Sequence, residues 1–148
     1  MIELNWFRCE SVGWCDLDKV NIRSQTLKDI EGVYVLWTGT TIDDTRKVIS
    51  VGQGMIIKII LGMRKSLEVK AFSQTGLYIT WAELPPYRLN SVEVYLDKKL
   101  NPVIKNEDLP TVSPKQINLP WDGEDIFTGK PPDSDDGQLE TRMPSIRL

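Results

Sequence analysis

The chain has 148 residues, enough to bury a hydrophobic core without disulfides or metal ions, and we expect one domain over residues 1–121. It contains no histidine, which excludes both the usual general base at neutral pH and the commonest metal ligand. The net charge is −3 because residues 107–148 are acidic: they hold 4 Lys and Arg and 9 Asp and Glu, a charge of −5. Residues 1–106 hold 14 Lys and Arg and 12 Asp and Glu, a charge of +2, and so lack the strongly basic character typical of nucleic-acid-binding domains.

The first 23 residues hold several large apolar side chains and are predicted to pack on the domain. They lack the basic start and apolar run of a signal peptide, and no part of the chain approaches the roughly 20 apolar residues of a membrane span. We therefore expect a cytoplasmic protein without membrane association. Cys9 and Cys15 are too few for a disulfide framework and have no further Cys or His to complete a zinc site, so ordinary reduced thiols are expected.

Residues 32–37 and 47–52 are rich in β-branched and aromatic side chains and flank a turn-forming stretch, which predicts a β-hairpin. A short helical segment at residues 24–31, with Ser24 as its N-cap, is expected to lead into it. Because side chains alternate along a strand, Tyr34 is predicted to face away from whatever Val33 and Val35 bury.

Residues 55–65 lack turn formers and predict a helix that is apolar on nearly every face. A polar loop over residues 65–76, a third strand at 77–84 and a second helix at 91–100 are expected next, with Asn90 as the N-cap of that helix. Glu93 follows Asn90 by three residues, where it would complete a capping box. Residues 109–121 are predicted to lie extended along the body, anchored by Trp121. Residues 122–148 read as an acidic, disorder-prone tail.

The order Gly32-Val33-Tyr34, then residues 50–54 and a helix, resembles the hairpin of the GIY-YIG nuclease family, and the similarity continues over residues 28–106. The resemblance implies an α/β (α+β) fold, a small three-stranded, mainly antiparallel sheet flanked by helices. In the family the tyrosine matching Tyr34 is a catalytic group at the scissile phosphate. The glutamate matching Glu93 is the sole protein ligand of the catalytic Mg²⁺, a role suited to a hard oxygen donor. The capping role of Glu93 is an alternative that does not exclude this one.

The sequence departs from the family where catalysis is carried out. Ser50 replaces the second characteristic tyrosine, and Ile59 or Ile60, followed by Met63, stand where the helix normally presents an arginine and, in some members, a histidine. An isoleucine cannot stabilise the charge that develops on phosphate oxygens during cleavage.

Nearby residues offer partial substitutes for the missing groups. Lys58 and Arg64 are close in sequence, and Arg64 could serve from the next turn. Asn101 and Asn106 both lie near the position of an asparagine that some members carry in the active site.

Two function classes follow from this comparison. The first is a degenerate nuclease fold, a pseudoenzyme that binds nucleic acid or a protein, and the second is a working Mg²⁺-dependent DNA endonuclease using Tyr34, Glu93 and a relocated basic residue. We favour the first, which needs no metal, because the changes all run from charged or phenolic to small or apolar. Gln53, Ile59 and Met63 are then candidate binding residues, with the last two expected as an exposed apolar patch rather than as core. The near-neutral body favours a protein partner slightly.

Overall fold

The computed structural model describes residues 1–9, 13–39 and 46–122. Three antiparallel strands, β1 (Glu31–Thr38), β2 (Lys47–Met55) and β3 (Tyr78–Glu83), form one sheet in the order β2-β1-β3. The helices are α1 (Ile56–Lys65), α2 (Leu67–Lys70) and α3 (Pro86–Leu100), with 3-10 turns at Gln25–Leu27 and Ser73–Thr75. The predicted α+β class, hairpin and third strand are confirmed.

No helix within the described ranges is long and apolar enough to cross a membrane. The predicted tail lies outside them except for its first residue, Asp122.

The central strand β1 is buried on both faces because its apolar residues occupy both sets of alternating positions. Val33 and Val35 are fully buried in a cluster with α3, whereas Leu36 is fully buried in a second cluster with α1. The α1 helix therefore lies on one face of the sheet and α3 on the other. Tyr34 shares the α1 face with Leu36 and is partly buried there, as the alternation predicts.

The α3 helix begins five residues earlier than predicted. Pro85 is its N-cap and Pro86 its first residue, where the missing proline N–H would have had no partner in the helix. Asn90 therefore lies inside the helix, and its predicted role as the N-cap is wrong. Glu93 lies beyond the first turn, so its alternative role in a capping box is wrong as well.

The N-terminal segment covers the outer edge of β3 through three backbone hydrogen bonds. The N–H groups of Phe7 and Leu17 donate to carbonyl oxygens of β3 and its flank at Trp81 and Leu77, and the Cys15 carbonyl accepts from the N–H of Ile79, each at 2.9 Å. Cys9 and Cys15 are thereby brought together, with Cα atoms 4.9 Å apart, and form a disulfide. The expectation of reduced thiols is therefore wrong. The spacing of the two cysteines in sequence does not indicate that the residues around both of them bind the same edge of β3.

The segment after α3 returns to the N-terminus and closes the α3 side of the core. Ile2 forms a parallel bridge with Ile117, and the Asn118 side chain bonds the backbone of Leu4 through both its oxygen and its nitrogen. Trp121 packs its ring against Trp37, with centroids 5.3 Å apart. Its predicted role as an anchor is confirmed.

Candidate functional site

A polar cleft of about 510 Å³ opens along the outer edge of β2. The loop after α3 covers only the first part of this edge, where the N–H groups of Val103 and Ile104 donate to the carbonyl oxygens of Val48 and Ile49. Beyond that point the hairpin, α3 and the loop form three walls. The cleft brings together most of the site residues predicted from the sequence, namely Tyr34, Ser50, Gln53, Glu93 and Asn106.

Glu93 forms the floor of the cleft and is only 2% exposed. Its Oε1 accepts a hydrogen bond from Gln53 Nε2 at 2.7 Å, and its Oε2 accepts one from Asn106 Nδ2 at 2.6 Å. A buried carboxylate is costly unless hydrogen bonds replace its hydration, and these two amides supply them. The Glu93 carboxylate therefore links α3 to both β2 and the loop after α3.

Asn90 contributes a second polar group from the same face of α3. Its Oδ1 accepts from Gln53 Nε2 at 2.7 Å, so the Gln53 amide group bonds both Asn90 and Glu93. Residues three apart on a helix are neighbours on its surface. The three-residue spacing of Asn90 and Glu93 is a sequence signal for this arrangement. It applies only once both residues are known to lie in α3, which begins at Pro86.

Tyr34 lies over the glycine of β2 that faces it. Its hydroxyl is 3.2 Å from Ser50 Oγ, and a Cβ at Gly52 would stand 2.8 Å from the Tyr34 ring, so a side chain there would displace the phenol. Burial raises the pKa of Tyr34 above its ordinary value; the hydrogen bond with Ser50 opposes this shift, and the negative charge of Glu93 adds to it. Tyr34 therefore carries its proton at neutral pH and can donate it in a hydrogen bond.

The α1 helix presents no exposed apolar patch at Ile59 and Met63. Met63 is 9% exposed and lies in the buried cluster with Ile56 and Ile60, on the inward stripe of the helix. Ile59 is half-buried, and its Cδ1 would lie 3.3 Å from a Cβ at Gly54. The expectation that Met63 is exposed is wrong, and Ile59 covers the end of β2 instead of standing free.

The two basic residues considered on α1 do not line the cleft. Arg64 donates from Nε to the Leu17 carbonyl oxygen at 2.8 Å and from Nη2 to that of Val20 at 2.7 Å, so its guanidinium holds the N-terminal segment. Lys58 is exposed. Neither residue supplies the relocated cation that the sequence suggested.

A cation reaches the cleft from the loop after α3, at a position that sequence reasoning missed. Lys105 lines the cleft, and its ammonium group donates to Asn101 Oδ1. Asn101 ends α3 in a left-handed conformation, whereas Asn106 bonds Glu93. Of these two asparagines, Asn106 is the one at the carboxylate, and Asn101 bonds the lysine.

The donor set is compatible with Mg²⁺ at Glu93. Each carboxylate oxygen accepts one amide N–H and retains capacity for a metal ion, and Asp108 also lines the cleft. No group of three or more Cys, Asp or Glu side chains in the described ranges is arranged around a common point for a metal. A Mg²⁺ here would therefore take a single carboxylate and fill its remaining positions with water, a common arrangement for this ion.

The fold and the cleft define a small α+β domain with a buried, amide-held carboxylate at an open sheet edge. None of the family models, curated proteins or solved structures compared with the chain matches it. The resemblance of residues 28–106 to the GIY-YIG family therefore stays a prediction from the sequence.

Proposed function

We propose that this chain is a nuclease-fold protein of the GIY-YIG type that binds a partner macromolecule through the β2 cleft without cleaving phosphodiester bonds. The observation that carries the proposal is the state of α1. Ile59 or Ile60 stands where the family presents a cation; Ile59 packs over Gly54 and Ile60 is fully buried. Arg64 is bound to the carbonyls of Leu17 and Val20. Cleavage needs positioned positive charge at the phosphate, and α1 does not offer it to the cleft.

The cleft is suited to binding because its polar groups are already held in place. Gln53 and Asn106 fix the Glu93 carboxylate, so a ligand would not have to order these side chains when it binds. Preorganisation of this kind lowers the entropic cost of association.

The charge of the cleft favours a protein partner over nucleic acid. Among the described residues that line the cleft, Glu93 and Asp108 are acidic and Lys105 is the one basic residue. A phosphate backbone would therefore meet more negative than positive charge. A polar or basic segment of a protein fits that balance better.

A working endonuclease is the second candidate, and one observation favours it. Tyr34, Glu93, Asn106 and Lys105 all line one cleft, a set that includes a phenol, a carboxylate and a cation. In this case Glu93 would hold a Mg²⁺ ion, which stabilises negative charge on phosphate oxygens when bound. Lys105 would then stand in for the missing arginine.

A nicking assay on supercoiled plasmid with Mg²⁺ and with Mn²⁺ separates the two candidates. We expect no cleavage above background for the purified chain with either metal. Glu93→Gln and Tyr34→Phe are the matched variants, because each removes one reactive group while keeping its shape. Cleavage by the wild-type chain that both substitutions abolish would overturn the proposal and establish the endonuclease.

The salt dependence of DNA binding tests the choice of partner. Lys105 is the one basic residue in the described lining of the cleft, so any DNA binding there should be weak. It should also disappear as the salt concentration rises, since the affinity of basic side chains for DNA comes mainly from counterion release. Nanomolar DNA binding that persists at about 0.5 M salt would exclude a protein-specific cleft.

A further inference from the structure

The Cys9–Cys15 disulfide joins two separate contacts between the N-terminal segment and the outer edge of β3. The first contact precedes the disulfide in sequence and is the hydrogen bond from the Phe7 N–H to β3. The second is formed by the backbone of Cys15 and Leu17, which bonds β3 and its flank. Because the disulfide joins the two contacts covalently, the loss of either contact leaves that part of the segment close to β3 through the remaining contact. The bridge therefore acts on the whole cover of this sheet edge.

The two sulfur atoms differ in their accessibility to an external thiol. Cys9 is exposed and lines a cavity of about 450 Å³, whereas Cys15 is 0% exposed and belongs to the buried cluster. Asp16 and Lys19 are the charged residues described in the lining of the same cavity, and their formal charges cancel. An attacking thiolate can approach the Cys9 sulfur through this cavity, and Cys15 is then the leaving group.

We propose that the Cys9–Cys15 disulfide is a thiol–disulfide exchange site, and that a dithiol reductant acting on it weakens the docking of the N-terminal segment on the outer edge of β3. In the first step the thiolate of the reductant bonds to Cys9 Sγ, the protein S–S bond breaks, and Cys15 leaves as a thiolate that takes a proton. In the second step the other thiol of the reductant, after losing its proton, displaces Cys9, which takes a proton. The protein gains two electrons and two protons, and the reductant ends as a disulfide.

Reduction weakens the cover because it removes the constraint on a short loop. The two cysteines are six residues apart, and the loop-closure entropy for such a length corresponds to a factor on the order of 50 in the equilibrium between docked and released segment. Release would leave the N–H of Ile79 without its described acceptor. It would also remove the carbonyl groups of Leu17 and Val20 from Arg64.

Amide hydrogen exchange of the full chain, with and without dithiothreitol, tests this proposal directly. The N–H of Ile79 points outward to the Cys15 carbonyl, so its exchange should accelerate on the order of 50-fold after reduction. Amides of β1, which lies between β2 and β3, should keep their protection.

Cys9→Ser is the matched control, because it removes the bridge at its exposed end and leaves Cys15 in the core. Its Ile79 amide should exchange fast and should not respond to dithiothreitol. Equal exchange at Ile79 in the oxidised and reduced wild-type chain would overturn the proposal. Equal acceleration across β1 would overturn it too, since the bridge would then support the whole fold rather than one segment.

Discussion

The two outer edges of the sheet are treated in opposite ways. The edge of β3 is covered by the disulfide-tied N-terminal segment. Among the residues that the structure describes, the edge of β2 is covered only at Val48 and Ile49, and it then opens into the polar cleft. An uncovered strand edge is a template for unwanted pairing, so proteins cover it, shorten it or use it. In this chain one edge is covered by backbone hydrogen bonds, and the other is lined by Tyr34, Glu93 and the amides around them.

The largest expected contrast is between the two sides of the central strand, and it comes from adding one methyl group at each of two glycines. A Cβ at Gly32 would stand 2.0 Å from the backbone oxygen of Ala82, so Gly32→Ala forces β1 and β3 apart and should lower the free energy of unfolding by more than about 3 kcal/mol. Gly52→Ala meets the ring of Tyr34, which can shift, and should cost about 1 to 2 kcal/mol. Urea denaturation measures both; a larger loss at Gly52 would contradict the comparison.

A second contrast places one arginine on the inward stripe of α1 and one over the end of β2. Met63→Arg puts a charge among buried side chains and should cost about 3 kcal/mol. Ile59→Arg should cost about 1 kcal/mol, because Ile59 is half-buried and a long side chain can reach water. Thermal denaturation of the pair provides the measurement, and tolerance of arginine at position 63 would show that the stripe is not core.

Within the open edge, Asn106→Ala tests whether Glu93 depends on its amide partners. The substitution removes the donor at Oε2 of a buried carboxylate and should cost about 2 kcal/mol. Lys105→Ala, at the adjacent exposed position, is the control and should change stability by less than about 0.5 kcal/mol. In a Glu93→Leu background the cost of Asn106→Ala should shrink, and an unchanged cost would mean that Asn106 acts through another contact.

The smallest expected effect is the pH response of Tyr34. Its pKa is raised in the folded chain above the ordinary 10.0, mainly by burial. The unfolded chain therefore ionises first: the stability contributed by the neutral phenol is fully present below about pH 10 and is lost as the pH rises through the folded pKa. Tyr34→Phe cannot ionise, so urea midpoints of the two proteins should converge or cross above about pH 10. Curves that stay parallel would contradict the shift.

Local patterns predicted the hairpin and the direction of Tyr34 correctly, because strand formation and side-chain alternation depend on neighbours in sequence. The start of α3 is not predicted correctly because the N-cap is assigned to Asn90, although Pro86 fits the first position of a helix. That one error also hid the pairing of Asn90 with Glu93.

The remaining features depend on contacts between distant segments and had no local signal. Lys105 reaches the cleft because the loop after α3 pairs with β2 at Val48 and Ile49. Cys9 and Cys15 meet because both flank pieces that dock on β3. The positions of both the cation and the disulfide follow from tertiary pairing, which residue spacing does not encode.

The bond between Leu4 and Asn118 spans 114 residues, which sets an order of events during synthesis. At about 5 to 20 residues per second, the ribosome leaves the N-terminal residues without these partners for several seconds. The hairpin, α1 and α3 can associate in that interval, whereas the strand-like pairing at Ile2 must wait for Ile117. A nascent chain stalled before that point would expose the apolar surface around Leu4, a signal that chaperones or proteases can recognise.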